Sequence, residues 1–127
     1  QPRPMIMPVL LFSYGTLQLA SVQLANFDRL LLGQADRLPA WRQEQVEITD
    51  PIVLPQSGER YHPILRYSGL ADDSVAGTVF TITAQDLLRA DAYEVGDYQR
   101  VRVTLASGLL AWVYVARDSA AAAPALD

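Results

Sequence analysis

A chain of 127 residues, half of them hydrophobic and about a fifth charged, is the right size for one domain with a proper core. Its net charge is −4, and all ten cations are arginines scattered from Arg3 to Arg117, so no basic patch offers itself to nucleic acid. Cysteine and lysine are absent and His62 is the only histidine, which excludes disulfides, thiolate nucleophiles, cysteine–zinc and multi-histidine metal sites, Schiff-base chemistry and a P-loop.

No apolar run approaches the ~18 residues of a membrane span. Gln1–Pro4 lacks a signal-peptide layout and Gln1 is not an initiator, so Met5 or Met7 is expected as the native start and the cytoplasm as the compartment. A single domain is expected over residues 5–118, followed by a flexible alanine-rich tail over 119–127.

In chain order, Val9–Ser13 reads as a buried strand that runs into the turn Tyr14-Gly15-Thr16-Leu17. Such a turn exposes backbone N–H groups beside a phenol and a hydroxyl, all able to bind a small anion. Ser21 is placed to cap a helix over Val22–Leu32, with Leu24, Phe27, Leu30 and Leu31 on one face and Gly33 as its stop. Ala35–Ile48 reads as one or two strands broken near Pro39, with Trp41, Val46 and Ile48 as core candidates. Asp50-Pro51 and Pro55–Arg60 carry loop composition, Pro63–Tyr67 a short strand, and Asp72-Asp73 a solvated turn without calcium-loop spacing. Val75–Ile82 alternates as a strand. Thr83 and Asp86 then form a capping pair that opens a helix to about Tyr93, stopped by Gly96. Tyr98–Ala106 and Leu109–Ala116 are strands joined at Ser107-Gly108. Many strands with two inserted helices predict an α+β domain whose sheet curls into a small mixed β-barrel.

The chemistry must rest on carboxylates, tyrosines, arginines, hydroxyls and backbone dipoles. Glu94 is the leading candidate, because the C-terminal end of a helix disfavours a carboxylate and burial would raise its pKa further, toward that of a general acid/base. The alternative is a solvated residue at a helix end. Tyr98, Arg100 and Arg102 share one face of the following strand, where a phenol and a guanidinium could orient Glu94 or anchor a substrate carboxylate, or simply form a polar outer face. Asp91 fits a turn cap or an arginine partner. His62 reads as a surface or strand-entry residue, and Ser13, Thr16 and Ser21 have no convincing histidine base for a serine triad. Trp41 and Trp112 alternate with apolar neighbours and read as core.

Tyr14-Gly15-Thr16-Leu17, the proline-led His62-Pro63-Ile64-Leu65, Val75-Ala76-Gly77-Thr78-Val79-Phe80, and Asp91-Ala92-Tyr93-Glu94 with Tyr98-Gln99-Arg100 resemble, in order, segments of the γ-glutamylcyclotransferase-like superfamily. The resemblance extends from Leu10 to Val115 and includes the γ-glutamylamine cyclotransferase and AIG2-like branches. It implies a small mixed barrel with packed helices, and a reaction that releases 5-oxoproline and a free amine from a γ-glutamyl amine or amino acid. By resemblance Glu94 would be the acid/base, and Tyr14, Gly15, Thr16 and Leu17 would hold the glutamyl part, with Tyr98 and Arg100 as further substrate-binding candidates. The substrate's own α-amine attacks the γ-carbonyl, so neither cofactor nor metal is required. The expected partner is a small γ-glutamyl molecule, not nucleic acid or membrane. A non-catalytic ligand-binding or interaction domain of the AIG2-like type is the alternative, and another elimination or acyl transfer on a glutamyl-like substrate would use the same parts.

Overall fold

The computed structural model of the chain describes residues 9–47, 61–94, 96 and 98–121, with backbone alone at 46, 47, 61 and 62. Met5 and Met7, Ile48, the loops at 50–51 and 55–60, the side chains of Val46 and His62, and residues 122–127 lie outside the described residues. In chain order the elements are β1 (Val9–Ser13), a 3-10 turn (Thr16–Gln18), α1 (Ala20–Phe27), β2 (Leu32–Pro39), β3 (Trp41–Glu47), β4 (Tyr61–Tyr67), β5 (Ser74–Ile82), α2 (Ala84–Tyr93), β6 (Tyr98–Thr104), β7 (Leu110–Ala116) and α3 (Arg117–Ala120).

β1 is apolar on both faces because it lies at the centre of the main sheet, whose order is β2-β5-β1-β7-β6. It pairs antiparallel with β5 and parallel with β7. Its consecutive residues Leu11 and Phe12 are fully buried in two different apolar clusters. The Leu11 cluster gathers Val22 and Phe27 of α1 with Leu87, Ala90 and Tyr93 of α2. The Phe12 cluster gathers Leu38, Trp41 and Leu65 with Val113 and Val115 of β7.

The class is α+β, as the element pattern implied. Closure into a barrel is not detected among the described residues. Instead β3 and β4 form a separate two-stranded ribbon that packs across β5 and β7. The Ala40 amide donates to the Asp73 carbonyl at 2.8 Å, and there Ala40 adopts φ 73°, a bend between β2 and β3.

The first helix is shorter than its sequence implied. It ends at Asp28, which adopts a left-handed φ of 59°, and its N-cap is Leu19 without a side-chain cap, not Ser21. Its buried face is Val22, Gln23 and Phe27, while Leu24 and Leu30 are exposed. Gly33 does not stop that helix but belongs to β2, where a Cβ would lie 2.5 Å from Phe80 Cδ1. The glycine answers a packing demand that outranks its helix-breaking tendency.

Gly77 answers a harder one. A Cβ there would lie 2.4 Å from the Ser13 carbonyl oxygen and 2.7 Å from Phe12 Cζ. Backbone cannot move aside cheaply, so Gly77→Ala should lower unfolding free energy by about 2–3 kcal/mol. An unshifted urea midpoint would refute this packing argument.

α2 has its expected capping box: Thr83 Oγ1 accepts from the Asp86 amide at 3.0 Å, and Asp86 Oδ2 accepts from the Thr83 amide at 2.9 Å. Arg29, just beyond α1, donates to both oxygens of the same buried carboxylate. Those guanidinium hydrogen bonds outweigh the cost of burial and hold the Asp86 carboxyl down to about 2. One aspartate thus ties the end of α1 to the start of α2. At the other end of the chain α3 extends through Ala120 into the expected tail, and Ser119 is buried, accepting from the Tyr67 amide at 3.3 Å.

Candidate functional site

The sharp exit from β1 carries Tyr14 to Leu17 alongside the C-terminal end of α2. Glu94 is the C-cap of that helix, its own amide donating to the Ala90 carbonyl at 2.9 Å. Its φ of −87° and ψ of 83° turn the chain out of the helix toward β6. Glu94 lines one cavity with Tyr14, Gly15, Thr16 and Leu17 of the turn, closed by Pro63, Tyr98 and Tyr114. The cavity is small, about 10 Å³, room for roughly one water molecule.

No described residue hydrogen-bonds or pairs with the Glu94 carboxyl. No buried side-chain polar atom among the described residues lacks a partner, so its oxygens keep contact with the cavity. Burial alone pushes its pKa from 4.5 up to about 8. An acid at the edge of a cavity, without a partner among the described residues, is poised to exchange a proton near neutral pH.

The turn contributes differently from its sequence reading. Tyr14 and Thr16 line the cavity, but their hydroxyls are committed to protein partners: the Tyr14 phenol donates to the Tyr114 carbonyl, and Thr16 Oγ1 shares a 2.6 Å hydrogen bond with the Tyr93 phenol. Burial, with Glu94 and Tyr98 nearby, holds the Tyr14 pKa well above the usual phenol range, so it stays neutral. Among the described residues, the amides of Thr16 and Leu17 open the 3-10 turn without an intrahelical acceptor and are candidate donors to a ligand.

Tyr98 joins the site, its hydroxyl donating to the Pro63 carbonyl at 2.9 Å. Arg100 does not line the cavity. Its Nε and Nη2 donate to the two Asp91 oxygens at 2.8 and 3.1 Å, and its guanidinium lies 4.4 Å from the Trp112 ring centre. Asp91 faces β6 one helical turn before Glu94 and captures the arginine before it can reach the cavity. Tyr114 donates to the same Asp91 oxygen at 2.7 Å. Burial first, and then that carboxylate, raise the Tyr114 pKa far above its usual value. The Asp91–Arg100–Tyr114 cluster braces the end of α2 that carries Glu94.

Tyr93, Tyr114 and the inward role of Pro63 escape a sequence reading. Tyr114 reaches the cavity because β7 runs parallel to β1, in the register Leu11↔Trp112, and no local pattern announces a parallel pairing. Among the described residues no group of histidine, aspartate and glutamate could hold a metal ion, and no helix is long and apolar enough to cross a membrane.

Solved structures share this architecture. An Arabidopsis thaliana protein solved in solution is 19% identical at a TM-score of 0.70, covering 94% of this chain and 68% of that one. A second Arabidopsis thaliana protein is 20% identical at 0.69, covering 92% and 74%. A gamma-glutamyl cyclotransferase is 17% identical at 0.62, covering 87% and 67%. At such identities the likeness establishes the fold alone. No curated protein sequence matches the chain. The family model for "Gamma-glutamyl cyclotransferase, AIG2-like" matches residues 11–126, and its reach from β1 through α3 takes in the turn, the ribbon and the Glu94 segment together. The chain belongs to the gamma-glutamyl cyclotransferase, AIG2-like family.

Proposed function

We propose that this protein is a cytoplasmic γ-glutamyl cyclotransferase, converting a γ-glutamyl amine or γ-glutamyl amino acid into 5-oxoproline and a free amine. The observation that carries the reading is the Glu94 carboxyl, without a partner among the described residues and with a pKa of about 8, on the same cavity as the Tyr14–Leu17 turn.

In this reading the substrate's α-nitrogen attacks its γ-carbonyl carbon and forms the ring C–N bond. Glu94 accepts the proton lost by that nitrogen and returns it to the departing nitrogen as the original amide bond breaks. A pKa near 8 keeps both protonation states accessible, as a group that takes and gives back a proton requires. The Thr16 and Leu17 amides bind the α-carboxylate or the oxyanion. Tyr98 fixes the Pro63 wall, while Arg100 acts at a distance by holding Asp91. Ring closure uses the substrate's own amine, so the chemistry asks for no protein nucleophile, cofactor or metal.

A ligand-binding domain without catalysis would gain nothing from a half-buried acid that has no partner among the described residues, which weakens folding. The test is a panel of γ-glutamyl amines, γ-glutamyl dipeptides and glutathione assayed for 5-oxoproline. Release from at least one class is expected, and none from any of them would overturn the reading.

A further inference from the structure

Beyond the mouth of the Glu94 cavity lies a groove of about 280 Å³. It shares Tyr14, Gly15, Thr16 and Pro63 with the inner cavity and adds Leu19, Gln43 and Gln45. The ribbon builds it. In the β3–β4 register Trp41 faces Tyr67, Gln43 faces Leu65 and Gln45 faces Pro63, so these residues share the ribbon's inner side. That side begins as core, with Trp41 and Leu65 buried, and changes to two exposed amides where it reaches the groove. Neither amide hydrogen-bonds to another described residue, and no described charged side chain lines the groove.

We infer that this groove receives the amine that leaves, and that Gln43 and Gln45 select one carrying no formal charge beyond its bond to the glutamyl group: a peptide-like amine with an amide to offer. The inference rests on the proposed cyclotransferase reading. The reacting carbonyl must lie within reach of Glu94, so the glutamyl part takes the cavity and the mouth, and whatever is attached through its γ-amide projects into the groove. A glutamine amide both donates and accepts, and so pairs with an amide. A carboxylate or an ammonium would find no described counter-charge there to pair with. Leu19 offers an apolar flank for a short side chain.

Three probes separate the possibilities: γ-glutamyl-alanine amide, γ-glutamyl-alanine and γ-glutamyl-putrescine, whose leaving portions are neutral, anionic and cationic. The amide should show the highest kcat/KM, by about tenfold over each charged probe. Gln45→Arg should raise γ-glutamyl-alanine relative to the amide by a similar factor, and Gln43→Glu should do so for γ-glutamyl-putrescine. Calorimetric binding of the same probes to Glu94→Gln, with and without the groove substitutions, supplies a readout independent of turnover. The neutral preference in binding, shifted by the charged substitutions, upholds the groove even if no probe is turned over, in which case only the reaction is refuted. Equal affinities, or a ranking that neither substitution moves, overturn the inference while leaving the proposed reaction standing.

Discussion

Glu94→Gln should release no more than about a hundredth of the 5-oxoproline that the unaltered protein produces, since a positioned proton carrier contributes ~10²–10⁴-fold. The amide is nearly isosteric and no described residue hydrogen-bonds or pairs with the carboxyl it replaces, so the fold should persist. A far-UV and near-UV circular dichroism spectrum matching the parent separates lost chemistry from lost structure. Turnover within a few-fold of the parent would remove Glu94 from the mechanism. The variant should still bind γ-glutamyl compounds, because the Thr16 and Leu17 amides and the turn geometry are untouched.

The same substitution should reshape the dependence of stability on pH. Unfolded, Glu94 ionises near 4.5; folded, it holds its proton until about 8 because burial disfavours the charge. Between those values the folded state binds a proton that the unfolded state has released, so unfolding becomes easier as pH rises. The favourable contribution is complete below about 4.5, declines up to about 8 and is flat beyond. A displacement of that size corresponds to at most about 4–5 kcal/mol, which the partial exposure of Glu94 reduces to roughly 3 kcal/mol. Glutamine does not titrate. The variant should therefore match the parent near pH 4 and exceed it by roughly 3 kcal/mol at pH 9 in urea unfolding. Other ionisable groups are common to both proteins and cancel in the difference. Parallel curves across that range would mean that the carboxyl is solvated in the folded state.

Local signals in the sequence anticipated what local physics controls. The Thr83–Asp86 capping box, the turn at Ser107-Gly108 and the two-sided apolar run of β1 each depend on neighbouring residues, and each is present. The placement of Glu94 at the C-terminal end of α2 was legible because a helix end is a local feature. The end of α1 was not: Leu30, Leu31 and Leu32 continue a helical pattern, but Gly33 is needed against Phe80, and that demand comes from a strand far along the chain. Arg100 shows the same limit. Its position on β6 allowed either a role at the site or a pairing with Asp91, and the packing of α2 on the sheet decides for Asp91. Closure of the sheet is not detected among the described residues, and the bend at Ala40, with its φ of 73°, is a matter of one backbone conformation that composition does not announce.

The tight fit of the turn against the ribbon bears on kinetics. Gly15 sits so close to Pro63 that a Cβ would lie 3.0 Å from its Cγ, and behind that contact there is room for little more than one water molecule. A glutamyl chain is several times larger. Under the proposed reading, a glutamyl chain that reaches past this contact toward Glu94 requires the turn and Pro63 to part, a movement of the empty protein whose rate ligand concentration does not set. Observed association rates should level off as ligand is raised instead of climbing in proportion to it. The plateau would measure how often the empty protein opens.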